Sequence, residues 1–187
     1  MIMLDFELCD AARLRRDPAY DGRFFIAVRT TRIYCRPVCK VRQPLSRNIT
    51  FFVCAAAAEK DGFRPCLRCR PEAAPFCPAW PGTDTILARA LRLLEAGALD
   101  HGSVAGLCTQ LDIERPPLLR LFAQHLQASP VQVARTLRTH RAKRLLNNTT
   151  LAMTDVAKQA GFPSVRSFNA AMTALYRRAP LALRRTI

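Results

Sequence analysis

Four cysteines place the strictest constraint on what this chain can fold into. Cys35-Arg-Pro-Val-Cys39 is followed, after 26 residues, by Cys66-Leu-Arg-Cys69. A short cysteine pair on a tight turn can aim both sulfurs at one point, and a structured insert can bring two such turns together. That is the spacing of a tetrahedral zinc site. Disulfides are the alternative use of the same residues. No signal peptide is readable at the amino terminus, so a reducing, cytoplasmic setting is expected, and there such pairs more often hold metal. Four further cysteines lie outside the pairs: Cys9, Cys54, Cys77 and Cys108. Cys108 falls in an apolar helical pattern and reads as a small core residue. Cys77, eight residues past Cys69, is the one candidate among them to replace a ligand.

Charge narrows the partners. Lys and Arg number 29 against 14 acids, a net charge of +15 with a pI near 10.5. Both halves are basic, so this is not a basic tail on a neutral body. Nucleic acid is the natural polyanion for such a chain, with a membrane surface as competitor. No run approaches 18 apolar residues and no lipidation motif appears, so no membrane role is expected. Between Gly22 and Ala58 there is no acid, whereas Arg23, Arg29, Arg32, Arg36, Lys40, Arg42 and Arg47 are all cationic. Balancing the −2 charge of a zinc tetrathiolate is one use for them. Their number favours a phosphate-contacting surface as well.

Hydrophobic periodicity divides the chain. Leu4 to Arg16 reads as a short helix, and residues 23–34 as one or two strands around a turn. Asn48 to Val53 reads as another strand and Ala55 to Asp61 as a short helix stopped by Gly62. The expectation is a small α+β module around a metal, over residues 1–72. Residues 73–83 belong to a proline-rich stretch that reads as a linker, and Thr83 or Asp84 can cap the helix that follows. Residues 84–187 turn helical. Ile86, Leu87, Ala90, Leu91 and Leu94 share a face closed at Gly97. Ser103 caps a helix with Leu107 and Leu111, and after a turn at Asp112 a second helix carries Leu118, Leu119 and Phe122. Ser129-Pro130 opens a long helix bearing Arg135, Arg138, Arg141, Lys143 and Arg144. The arrangement then recurs, with a cap at Thr154, a turn at Gly161-Phe162 and a helix with Phe168, Met172 and Tyr176. Pro130 and Pro180 lie 50 residues apart. The fold expected is an all-α domain with two helix–turn–helix units joined by a long helix. A plain helical bundle, kept soluble by its charges, is the competing reading.

With both halves placed, a resemblance can be stated. Asp17-Pro18, Asp21-Gly22, Ala27 to Thr31, Ile33 to Pro37 with Cys39, Arg47-Asn48, Phe51, and Gly62 to Cys66 with Cys69 resemble the amino-terminal module of Ada-type methylphosphotriester-DNA methyltransferases. Residues 84–184 resemble an AraC-type DNA-binding domain. The resemblance implies one Zn2+ held by Cys35, Cys39, Cys66 and Cys69. It implies that Cys35 accepts a methyl group from a methylated backbone phosphate, once and irreversibly, and that the transfer is coupled to sequence-specific binding of double-stranded DNA. DNA repair, transcriptional activation with RNA polymerase as a further partner, and a monomeric bacterial protein follow as expectations. The DNA-contacting residues expected are Arg32, Arg36 and Arg47 in the first module, Arg115 and Arg120 in the first helix–turn–helix unit, and Ser164, Arg166 and Ser167 in the second. A purely structural zinc site without methyl transfer is the alternative.

The chain also departs from the pattern. Its first recognition helix opens Glu114-Arg115-Pro116-Pro117, where the family has polar residues. Gln127, Arg177 and Arg32 stand where glycine is usual. No Pro-Cys-His-Arg stretch is present, so guanine-O6 repair is not expected from these residues.

Overall fold

The computed structural model describes residues 4–74 and 86–184. The proposed ligand role of Cys77, most of the linker and the caps at Thr83 or Asp84 lie outside them.

Helix α1 (Phe6–Arg15) is capped by Asp5, whose carboxylate accepts the Leu8 N–H at 3.1 Å. Strands β1 (Phe25–Val28), β2 (Ile33–Cys35) and β3 (Ile49–Phe52), helix α2 (Ala55–Lys60) and the two-residue strand β4 (Arg64–Pro65) complete the first module. The sheet order is β3-β1-β2-β4, with β1 antiparallel to both β2 and β3, and β2 parallel to β4. Side chains alternate across a strand, so β1 has two buried faces. Phe25 and Ala27 meet Tyr34, Phe52, Phe63 and the alanines of α2. Ile26, with Phe24 just before the strand, meets Cys9 and Ala12 of α1. Alanine suits α2 because it lets the helix backbone lie close to the sheet. The first turn of the proline-rich stretch is not loose chain: Pro71–Ala73 forms a 3-10 turn with Pro71 and Glu72 buried.

The helical part contains α3 (Ile86–Glu95), α4 (Val104–Leu111), α5 (Arg115–Leu126), α6 (Pro130–Asn148), α7 (Met153–Gln159), α8 (Val165–Tyr176) and α9 (Pro180–Leu183). Leu118, Phe122 and Leu126 of α5 are buried, and 50 residues later so are Phe168, Met172 and Tyr176 of α8. The duplication is therefore one of core geometry. The α4–α5 unit packs around Leu91, Leu94 and Val133, and the α7–α8 unit around Ala142 and Leu146. The second unit begins differently from the expected cap. Ala152 precedes α7, and Thr154 lies inside its first turn.

Helix α6 is the spine, and its charges are mostly spent inside the molecule. Arg138 and Arg141 both bind Asp100, at 3.0 and 2.5 Å. Arg144 donates to the Glu72 carbonyl at 3.1 Å, and buried Lys143 donates to Asn147. The first module docks on the same helix. Tyr34 Oη lies 2.7 Å from Glu59 and 3.1 Å from His140 Nε2, and Thr136 donates to the other Glu59 oxygen. Burial, then the Glu59 charge, holds the Tyr34 phenol well above its usual pKa, so it remains a donor. Asn147 donates to Glu72 at 3.1 Å. A module that would bury little surface by itself thus shares a polar interface with the spine. Among the described residues no helix is long and apolar enough to cross a membrane.

Candidate zinc centre and nucleic-acid surface

The hairpin register fixes the first half of the centre. Cys35 ends β2 opposite Ile26, and the turn Arg36–Cys39 closes with the Cys39 N–H donating to the Arg36 carbonyl at 3.1 Å. Strand β4 runs beside β2, and the Cys66 N–H donates to the Tyr34 carbonyl at 2.9 Å. The second pair is thereby locked one step from the first. The sulfurs of Cys35, Cys39, Cys66 and Cys69 all lie within 4.8 Å of one another. Four Zn–S bonds of about 2.3 Å in a tetrahedron put neighbouring sulfurs about 3.8 Å apart, so the cluster fits the ion. No disulfide joins them.

Left to themselves, the thiols compete for protons. The Cys39, Cys66 and Cys69 sulfurs, together with burial, push Cys35 far above the ordinary thiol range. Cys39 falls to about 7, chiefly through its contact with Cys35. Four such groups cannot all ionise without a dication among them. The sulfurs also differ in what the backbone gives them. Cys69 accepts the Arg36 N–H at 3.4 Å. Backbone N–H groups of Val41 and Cys69 lower the pKa of Cys39 and Cys66. Cys35 is acted on chiefly by the other three sulfurs and by burial. A cavity of about 550 Å³ opens on Cys35, Cys39 and Cys66, walled by Thr30, Thr31 and Pro37, while Cys69 stays outside its lining.

The expected DNA-contacting residues are distributed unevenly. Arg36, beside Cys35, turns inward: Asp21 clamps its guanidinium, and it donates to the Cys69 carbonyl at 3.2 Å. The charge expected to meet phosphate is used here to brace the metal turn. Arg47 is exposed, as are Lys40 and Arg42. Arg32 is exposed too, but it lines the cleft between the two parts of the molecule and not the cavity at Cys35. Arg115 and Arg120 are exposed on α5 and Arg166 on α8. Ser164 and Ser167 form a reciprocal capping box at the start of α8, so their hydroxyls are already engaged with backbone N–H groups.

Sequence reasoning gave no role to Asp21 or Glu59. They are the two acids that bound the acid-free run, and each is committed to a partner in this centre or beneath it. That position at the ends of a cationic stretch was the available signal.

Comparison with known proteins agrees with this geometry. Residues 8–72 match the family model described as the metal binding domain of Ada, and residues 107–186 match one described as a helix-turn-helix domain. A Mycobacterium tuberculosis protein named as a probable bifunctional transcriptional activator/DNA repair enzyme AlkA is 43% identical over 180 residues. The match covers 96% of this chain and 36% of that protein. The Bacillus subtilis bifunctional transcriptional activator/DNA repair enzyme AdaA is 30% identical over 164 residues, covering 84% of this chain and 72% of its own. This chain therefore spans about a third of the first relative and most of the second. The fold of the helical part is that of the C-terminal domain of AraT, a response regulator from Geobacillus stearothermophilus. The TM-score is 0.53 at 21% identity, over 59% of this chain and 91% of that one. A tetrathiolate zinc centre on a small sheet, joined to paired helix–turn–helix units and matched along most of an AdaA chain, places this protein in the Ada family.

Proposed function

We propose that this protein removes methyl groups from DNA methylphosphotriesters by transferring them to Cys35, and that the transfer strengthens its binding to DNA as a transcriptional regulator. The observation that supports this most is the position of Cys35. It ends β2 on a cavity walled by Thr30, Thr31 and Pro37 from which Cys69 is excluded, and the resemblance of Tyr34-Cys35-Arg36-Pro37 to the family pattern favours it over Cys39 and Cys66 as nucleophile.

Bound zinc keeps the four sulfurs deprotonated at neutral pH. The Cys35 thiolate attacks the methyl carbon in line with its bond to oxygen. An S–C bond forms, the C–O bond breaks, and the electron pair leaves on the phosphate oxygen as an ordinary phosphodiester anion. No proton is moved, so no general acid is needed. This fits the cavity, whose wall offers the hydroxyls of Thr30 and Thr31 and no carboxylate. Repulsion supplies selectivity: an intact phosphodiester is anionic and is repelled by the thiolates, whereas the methylated one is neutral. The thioether has no route back, so each molecule acts once.

Methylation removes one negative charge from the cluster. A unit charge about 10 Å from a phosphate is worth about 1–2 kcal/mol at an effective dielectric of about 20, less after screening. Two or three nearby phosphates make a tenfold gain in affinity reasonable. Lys40, Arg42 and Arg47, exposed on the module, and Arg166 on α8 are the contacts favoured by this reading, with Arg115 and Arg120 beside them.

Incubation with DNA carrying labelled methylphosphotriesters, followed by peptide mapping, tests the transfer. Label on Cys35, lost in Cys35→Ser and kept in Cys54→Ser, is expected. Zinc-loaded protein that acquires no label would leave the structural reading of the site in its place. Affinity for one duplex before and after methylation, at fixed salt, tests the coupling, and equal values would end it.

A further inference from the structure

A second cationic site lies away from the cysteine cluster. The cleft between the two parts of the molecule encloses about 750 Å³. Arg32 and Arg64 line it from the sheet, Arg135 from α6, and Arg177 from the end of α8. Arg32 and Arg177 hold φ of 55° and 56°, the left-handed region that glycine enters freely and a residue with a Cβ does not. Arginine is thus present at two points of one cleft against the local backbone preference. Two other left-handed arginines have internal work: Arg16 donates to the Cys39 carbonyl at 3.1 Å, and Arg70 pairs with Glu72 at 3.5 Å. Among the described residues, no hydrogen bond or ion pair engages the guanidinium of Arg64, Arg135 or Arg177. The Arg32 guanidinium lies 4.2 Å from the centre of the Phe63 ring and donates to the Asp61 carbonyl, which fixes its plane at the wall. Glu59, the acid in the lining, is already shared by Tyr34 and Thr136.

We propose that this cleft binds a compact polyphosphate, of the kind carried by a nucleoside di- or triphosphate, and that the anion clamps the first module to the helical part. Guanidinium pairs bind phosphate oxygens through charge-assisted, often bidentate hydrogen bonds. The volume is within the roughly 300–1,000 Å³ of small-molecule sites. Cations facing each other from two units repel, and an anion between them turns that repulsion into a bridge. A free anion is favoured over a DNA strand by position. Arg177 is 11 residues from Arg166, about 16 Å along α8, so the cleft lies at the far end of that helix from the group offered to a duplex. This site goes beyond the methyl-transfer reading and stands whether or not Cys35 reacts.

Calorimetric titration of the zinc-loaded full chain with inorganic pyrophosphate, at constant ionic strength and against a sulfate control, tests it. Saturable one-site binding and a raised Tm are expected. Arg177→Gly should weaken binding at least tenfold without lowering the unliganded Tm, since glycine suits φ 56°. Arg135→Ser should weaken it in the same direction. Binding no better than sulfate, or within twofold of wild type in Arg177→Gly, overturns the proposal. Adding an undamaged duplex separates the phosphate sources. Simultaneous binding of duplex and pyrophosphate supports the free anion, and displacement of pyrophosphate overturns it in favour of the DNA backbone.

Discussion

The two helix–turn–helix units sit at equivalent places along α6 but are tied to the first module by different means. The α4–α5 unit is met by α2. Ala56 joins its apolar cluster, the Cys54 thiol donates to the Leu126 carbonyl at 3.3 Å, and Lys60 donates to the Gln127 carbonyl at 3.2 Å. The α7–α8 unit is met by the metal turn itself. Leu67, between Cys66 and Cys69, packs against its cluster, and Arg70 donates at 3.3 Å to Asn148 at the end of α6, just before the chain enters that unit. Helix α2 carries no metal ligand, whereas the Cys66–Cys69 turn supplies two. Zinc therefore bears on the second unit directly and on the first only through the body of the module. The turns differ as well. The first unit bends at Asp112 with φ 53°, the second at Gly161 with φ 86°, where a Cβ would come within 2.1 Å of Asp100 Oδ2. The start of α8 carries a capping box, and Glu114 before α5 makes no side-chain cap bond.

The largest effect that bears on this difference is loss of the metal. Structural zinc is worth about 10–16 kcal/mol of apparent binding energy in small domains. Chelation should cost amides of α7 and α8 more hydrogen-exchange protection than those of α4 and α5. Equal loss in both units would break the comparison. Truncation of a fully buried phenylalanine in each unit comes next. Phe122→Ala and Phe168→Ala should each cost about 3–5 kcal/mol in denaturant melts. Only Phe168→Ala is expected to speed zinc release to a chelator, and matching release rates would remove the asymmetry.

Smaller effects concern DNA. Arg166→Ala should lower affinity by about 1–3 kcal/mol and relax sequence preference. Arg115→Ala should weaken all sequences alike and reduce the salt slope by about one. Sequence-independent loss in both would make the units equivalent readers. The smallest pair concerns the caps and turns. Ser164→Ala should cost about 1 kcal/mol by removing the cap, and Asp112→Gly should stabilise by a few tenths of a kcal/mol by relieving the left-handed residue. Both are read from thermal melts.

Much of this was legible along the chain because it depends on near neighbours. The cysteine spacing, the strand before Cys35, the alanine helix, the serine caps at 103 and 129, and the 50-residue recurrence all rest on contacts within a turn or a hairpin. Thr154 and Ala152 show the limit even there. A threonine is the better cap by type, yet Leu151-Ala152 enters the second unit and the helix starts one residue before Thr154. The assignment of charges was not legible. Arg36, Arg138, Arg141 and Arg144 look alike in a list of cations, and each turns to a partner 15 to 72 residues away.

The sequence by itself determined the metal centre, the two-part plan and the basic character, because each is set by local spacing or by composition. Tertiary structure alone decided which guanidiniums remain available to a ligand, which sulfurs open on the cavity, and which helix–turn–helix unit rests on the metal. The reason is physical. A cation's availability depends on whether a distant carboxylate or carbonyl reaches it first, and only the folded chain brings Asp21, Glu72 and Asp100 to their arginines.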